Sequence, residues 1–124
     1  MTIYQTMSIE ELIAALAQHT DSLPVYFDWC WLQPTKPRSY RGDYSHLALG
    51  FETDGGATVG QVRGWLHEAI GARFEGYKGG SYEMFQATLV FCARWGETGR
   101  RIVAVEADGH DEPWRVVLQT EPDE

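Results

Sequence analysis

Residues 88–119 decide the fold. They run Thr88-Leu89-Val90-Phe91-Cys92-Ala93, the turn Gly96-Glu97-Thr98-Gly99, then Arg101-Ile102-Val103-Ala104-Val105-Glu106, the loop Asp108-Gly109-His110-Asp111-Glu112-Pro113, and Trp114-Arg115-Val116-Val117-Leu118-Gln119. The apolar runs are short, rich in β-branched residues and bounded by Gly, Asp and Pro, which reads as strands joined by turns. Strands with short connections pair antiparallel, so this third of the chain is expected to be a β meander. Upstream, His46-Leu47-Ala48-Leu49-Gly50-Phe51 reads as a further strand closed by Asp54-Gly55-Gly56, and the aromatic run Val25–Leu32 as another. Between them, Gln33-Pro34-Thr35-Lys36-Pro37-Arg38-Ser39 holds two prolines, which lack amide donors, and is expected to be a loop.

Two stretches change the period from strand to helix. Ser8-Ile9-Glu10-Glu11 is a capping-box pattern, and Ile9, Leu12, Ile13 and Leu16 fall on one face of a helix expected over Ser8–Gln18. Thr58 is the expected N-cap of a second helix over Val59–Ile70, with Val59, Val62, Leu66, Ala69 and Ile70 on its apolar face and Gly71 at C′. The expected architecture is α+β: an antiparallel sheet of about five to six strands with two helices packed on it, one domain over 1–124, and an acidic tail at 120–124.

Composition bounds what such a domain does. With 124 residues, 44% hydrophobic and 23% charged, the chain has material for one packed core. No apolar run approaches the roughly 18 residues that span a bilayer, so no membrane association is expected. The N-terminus lacks the basic start of a secretory signal. The two cysteines, Cys30 and Cys92, form neither a disulfide framework nor a zinc pattern, which implies a reduced, intracellular setting. A net charge of −8 argues against binding a nucleic-acid polymer. The charge is unevenly spread: residues 36–101 hold nine bases against seven acids, and the flanks hold eleven acids and one base. A locally basic middle suits a small anion, while the acidic flanks suit a protein partner.

Three segments carry candidate chemistry. Gly71-Ala72-Arg73-Phe74-Glu75-Gly76-Tyr77-Lys78-Gly79-Gly80-Ser81-Tyr82 combines four glycines, two bases and three aromatics. Glycine amides can cradle a phosphate, Lys and Arg neutralise it, and aromatic faces stack on a base. The same stretch also reads as a glycine-rich hairpin with core aromatics. Arg38-Ser39-Tyr40-Arg41-Gly42-Asp43-Tyr44 offers guanidinium and hydroxyl donors, with pairing of Asp43 to Arg41 as the alternative reading. Arg94, Arg100 and Arg101 flank the Gly96–Gly99 turn, and the adjacent pair is expected to point to opposite sheet faces. No metal or catalytic constellation stands out. His19, His46, His67 and His110 share no ligand spacing, there is no nucleophile elbow, and Cys92 sits among apolar residues. Asp108, Asp111 and Glu112 read as an exposed turn rather than a cation site, and Trp29, Trp31 and Trp114 as residues packed into sheet faces or a subunit contact.

The order of Ser39-Tyr40-Arg41-Gly42-Asp43-Tyr44, then Val59-Gly60 opening a helix that ends Ala69-Ile70-Gly71, then Phe74-Glu75-Gly76-Tyr77-Lys78-Gly79-Gly80-Ser81-Tyr82-Glu83-Met84, resembles a group of small phage proteins. Through them it resembles the first-described phage Thoeris anti-defence sponge family. The resemblance covers residues 38–84, extends loosely to the Gly96–Ile102 turn, and matches neither the N-terminal helix nor the last strand. It implies a viral, non-enzymatic, homo-oligomeric protein in the cytoplasm of the bacterial host. Such a protein sequesters a cyclic ADP-ribose isomer or cyclic oligonucleotide without a cofactor. On the matching positions it implies that Phe74 and Tyr77 stack on adenine, that Arg41, Lys78 and Arg101 hold the pyrophosphate, and that Ser39 or Tyr40 reaches a ribose. Two other readings stand beside it. One is an acidic inhibitor that binds a protein of a defence system. The other is a small nucleotide-cleaving enzyme using Asp43 or Glu75 as general base.

Overall fold

The computed structural model describes residues 5–53, 55–94, 96–109 and 111–123; Asp54, His110 and Glu124, which belong to the turn, loop and tail read above, lie outside the described residues. The chain runs α1 (Ile9–Leu16), β1 (Val25–Phe27), β2 (Gln33–Tyr40), β3 (Asp43–Glu52), α2 (Val59–Ala69), β4 (Arg73–Glu75), β5 (Ser81–Glu83), β6 (Val90–Cys92), β7 (Arg100–Asp108) and β8 (Arg115–Pro122). Six strands form one sheet in the order β1-β8-β7-β6-β3-β2, and β4 pairs with β5 in a separate hairpin. The β6-β7-β8 meander and the β2-β3 hairpin are antiparallel, as expected for short connections. Two pairings are parallel, β3 with β6 and β1 with β8, because each joins strands far apart in the chain. The class is therefore α+β with mainly antiparallel pairing.

Both helices start as their sequences dictate. Ser8 Oγ accepts from the Glu11 amide at 3.1 Å while Glu11 accepts from the Ser8 amide at 2.9 Å. Thr58 and Gln61 repeat this arrangement at 3.3 and 3.1 Å, a second capping box formed with Gln in place of Glu. Ile9, Leu12 and Leu16 of α1 and Val59, Val62, Leu66 and Ala69 of α2 are buried in one cluster with Val25, Phe27, Leu47, Leu49, Val90, Cys92, Ile102, Val116 and Leu118 from the sheet. Side chains alternate along a strand, so the opposite face of the sheet carries Tyr40, Ala48, Phe91 and Ala93, a smaller buried group with no helix over it. That uncovered face becomes the site.

The segment Gln33–Ser39, expected to be a loop, is strand β2. Its two prolines are accommodated because β2 is the edge of the sheet, with β3 as its sheet neighbour, so the missing amides cost no ladder bond on the open side. The pairing also shifts between Thr35 and Pro37, from Gly50 to Leu49, which leaves Lys36 at a bulge. Conversely, the strand read over Val25–Leu32 is confined to Val25–Phe27, after which the chain turns through Asp28–Trp31 into β2. β8 continues through Thr120, Glu121 and Pro122, so part of the acidic C-terminal stretch lies in the sheet.

Candidate functional site

The uncovered face holds a groove of about 380 Å³ between β2, β3 and the chain leaving β6. Its formation follows from residue size. Arg38 lies opposite Ala48 in the ladder, and Thr35 lies opposite Gly50. Ala48 and Gly50 are two apart, so both face the same way, and with Ala93 they make a floor with almost no side-chain volume. A β-carbon added at Gly50 would fall 2.3 Å from Thr35 Oγ1, so glycine keeps this floor open. Lys36, Arg38 and Arg94 line the groove with this floor, as do Glu52 and Glu97, three cations against two carboxylates. The Arg94 guanidinium lies 5.2 Å from the centre of the Phe51 ring, a cation–π contact that holds it at one end of the groove. Phe51 is itself fixed edge-on by Phe27 at 6.3 Å and Trp29 at 5.2 Å. The arrangement is a shallow, locally cationic trough of a size that fits a small ligand.

The residues singled out in the sequence divide among several places. Ser39 lines the groove, but its hydroxyl donates to the Tyr44 carbonyl. Tyr40 is 1% exposed, stacked on Phe91 at 4.1 Å between centroids. Its hydroxyl donates to Asp123 Oδ2 at 2.6 Å and accepts from the Gly99 amide at 2.9 Å, so it anchors the β6–β7 loop. Burial, then the Asp123 carboxylate, pushes this phenol up to about 12. Arg41 and Tyr77 do come together: the guanidinium donates to the Gly96 carbonyl at 2.6 Å and lies 5.3 Å from the Tyr77 ring centre. Asp43 does not pair with Arg41. It accepts from the Ser45 amide and hydroxyl at 3.0 and 2.6 Å, and those bonds hold its carboxyl below the usual range.

The glycine-rich stretch is the β4–β5 hairpin, with Lys78 and Tyr77 exposed at its turn and Phe74 half-buried against the main core. Phe74 thus lies with Trp65 and Pro37 in a separate depression on the helix side of β2. Arg100 donates to Thr120 Oγ1 at 2.7 Å, and Arg101 pairs with Glu121, so both arginines of the doublet bind β8. The groove therefore takes Arg38, Ser39 and Arg94 from the sequence reading and adds Lys36, Ala48, Gly50 and Ala93. The signal for the additions was present in two places: the pair Ala48 and Gly50, two apart in β3, and a lysine between two prolines.

Neither thiol is activated. Cys92 is buried, and desolvation pushes its thiol up to about 11; burial also raises Cys30. Among the described residues, no three His, Cys, Asp or Glu gather where a metal ion could be held. Asp108 pairs with Arg115 at 2.6 Å. No helix among the described residues is long and apolar enough to cross a membrane. Comparison with protein-family models, curated proteins and solved structures returned no match for this chain.

Proposed function

We propose that the protein binds a small anionic ligand of the nucleotide class in the β2–β3 groove and holds it without turnover. The observation that carries this reading is that Lys36, Arg38 and Arg94 line one groove with the small residues Ala48, Gly50 and Ala93. Cations on the wall bind phosphate oxygens by charge-assisted bonds, and a floor without side chains lets a flat ring lie close to the backbone. The resemblance to the phage sponge family supplies the finer part of the proposal. In that reading the ligand is a cyclic ADP-ribose isomer or cyclic oligonucleotide, and the protein is a homo-oligomeric viral inhibitor in the host cytoplasm. Arg41 joins the glycine-rich hairpin, through the Tyr77 ring, to the loop after β6, through the Gly96 carbonyl.

The experiment is calorimetric titration with a panel of cyclic ADP-ribose isomers and cyclic dinucleotides, followed by heat release and mass spectrometry of the ligand. Tight binding with ligand recovered intact is expected. Recovery of a cleaved product would replace sequestration by catalysis. Silence across the panel would remove the nucleotide class altogether.

A further inference from the structure

A second surface lies at the other edge of the sheet, where β1 pairs with β8. Tyr26 of β1, Trp31 of the following turn, Trp114 and Arg115 form one cluster. The two indoles lie 6.5 Å apart at 25°, and Tyr26 meets Trp31 edge-on at 5.6 Å. The Arg115 guanidinium stands 4.3, 4.9 and 5.6 Å from the centres of Trp31, Trp114 and Tyr26. Trp31 is 65% exposed and Trp114 54%. Paired indoles left this open to water are what buried anchors of interfaces look like before the partner arrives.

We propose that this face docks a basic polypeptide segment. Charge complementarity selects the occupant. The loop leading into Trp114 exposes Asp111 and Glu112, while Arg115, the one cation of the cluster among the described residues, is matched by Asp108 at 2.6 Å. The rim is therefore net acidic, and the exposed faces of the indoles add the negative quadrupole that attracts cations. The cluster already holds one guanidinium against its rings, which is the contact an incoming Arg or Lys would repeat on the open faces. A second copy docked symmetrically would bring the two acidic rims together, and a polyanion would be repelled by the same rim. The surface is separate from the groove, so the two proposals stand or fall independently.

The test measures fluorescence anisotropy of a labelled short peptide of alternating Arg and Ser, with a Glu-Ser peptide as comparison, at about 0.15 M salt, where distant charges are screened. The full chain is expected to bind the basic peptide and not the acidic one. Trp31→Ala and Trp114→Ala are each expected to weaken binding about tenfold or more, as for truncation of an interface anchor. Asp111→Asn with Glu112→Gln should weaken it severalfold. Glu10→Gln with Glu68→Gln, which removes the same charge elsewhere, should leave it unchanged. Circular dichroism checks that each variant is folded, and nucleotide titration of Trp31→Ala should match the wild type. The proposal is overturned by failure of the basic peptide to bind or by equal binding to the tryptophan variants. A wild-type dimer in sedimentation that Trp31→Ala dissociates would also overturn it, because a second copy would then occupy the face.

Discussion

Removing one oxygen from Tyr40 tests how the groove is held. The ring is buried and stacked on Phe91, and Tyr40→Phe keeps both features. What it deletes is a hydroxyl that donates to Asp123 at 2.6 Å and accepts from the Gly99 amide at 2.9 Å. The first bond involves an exposed carboxylate and contributes about 1 kcal/mol. Loss of the second leaves a partly buried amide without its partner, at about 1–2 kcal/mol. The expected destabilisation is therefore about 2–3 kcal/mol, read as a lower urea midpoint with an unchanged slope. A second arm uses pH. The phenol is pushed up to about 12 in the fold, against about 10 when unfolded. A raised acid contributes stability that is complete below pH 10 and is lost as pH rises from 10 to 12, by about 2–3 kcal/mol in all. The wild type should show this alkaline slope, and Tyr40→Phe should show a shallower one. A midpoint within about 0.5 kcal/mol of wild type, with the same alkaline slope, would refute the reasoning: the hydroxyl would not be tying β2 to the β6–β7 loop.

Other expectations are more local. Gly50→Ala forces Thr35 to turn away from a contact of 2.3 Å and puts a methyl on the groove floor. Nucleotide affinity should fall about tenfold, with a stability change under about 1 kcal/mol by urea unfolding. Thr58→Ala removes the acceptor for the Gln61 amide and should cost about 1 kcal/mol in the same assay. In the folded protein at pH 8, iodoacetamide should modify half-buried Cys30 well before buried Cys92, and urea should abolish the difference; peptide mass mapping reads both.

The helices were legible because caps and periodicity agree. Ser8 with Glu11, and the stripe of Ile9, Leu12 and Leu16, specify start and face at once. The C-terminal strands were legible because each apolar run is bounded by turn residues. β2 was not, because the rule that proline breaks strands depends on position in the sheet. Pro34 and Pro37 are tolerated at an edge with a bulge between them, and edge position is a property of topology. The site was half legible for the same reason. Arg38 and Arg94 could be flagged as cations, but their meeting with Lys36 depends on β6 lying parallel beside β3, a pairing between distant parts of the chain. Composition also could not foresee that the hydroxyls of Ser39 and Tyr40 are used inside the fold, by the Tyr44 carbonyl and by Asp123 and Gly99.

The central claim is that the groove, rather than the hairpin turn, holds the ligand. The most direct measurement compares the affinity of the best-bound cyclic nucleotide for the wild type, Arg94→Ala and Lys78→Ala by calorimetry. Loss of a charge-assisted bond at Arg94 should weaken binding by about tenfold or more, and removal of the exposed Lys78 should change it by less than about twofold. The opposite pattern, with Lys78→Ala impaired and Arg94→Ala unchanged, would contradict the account and move the site to the hairpin.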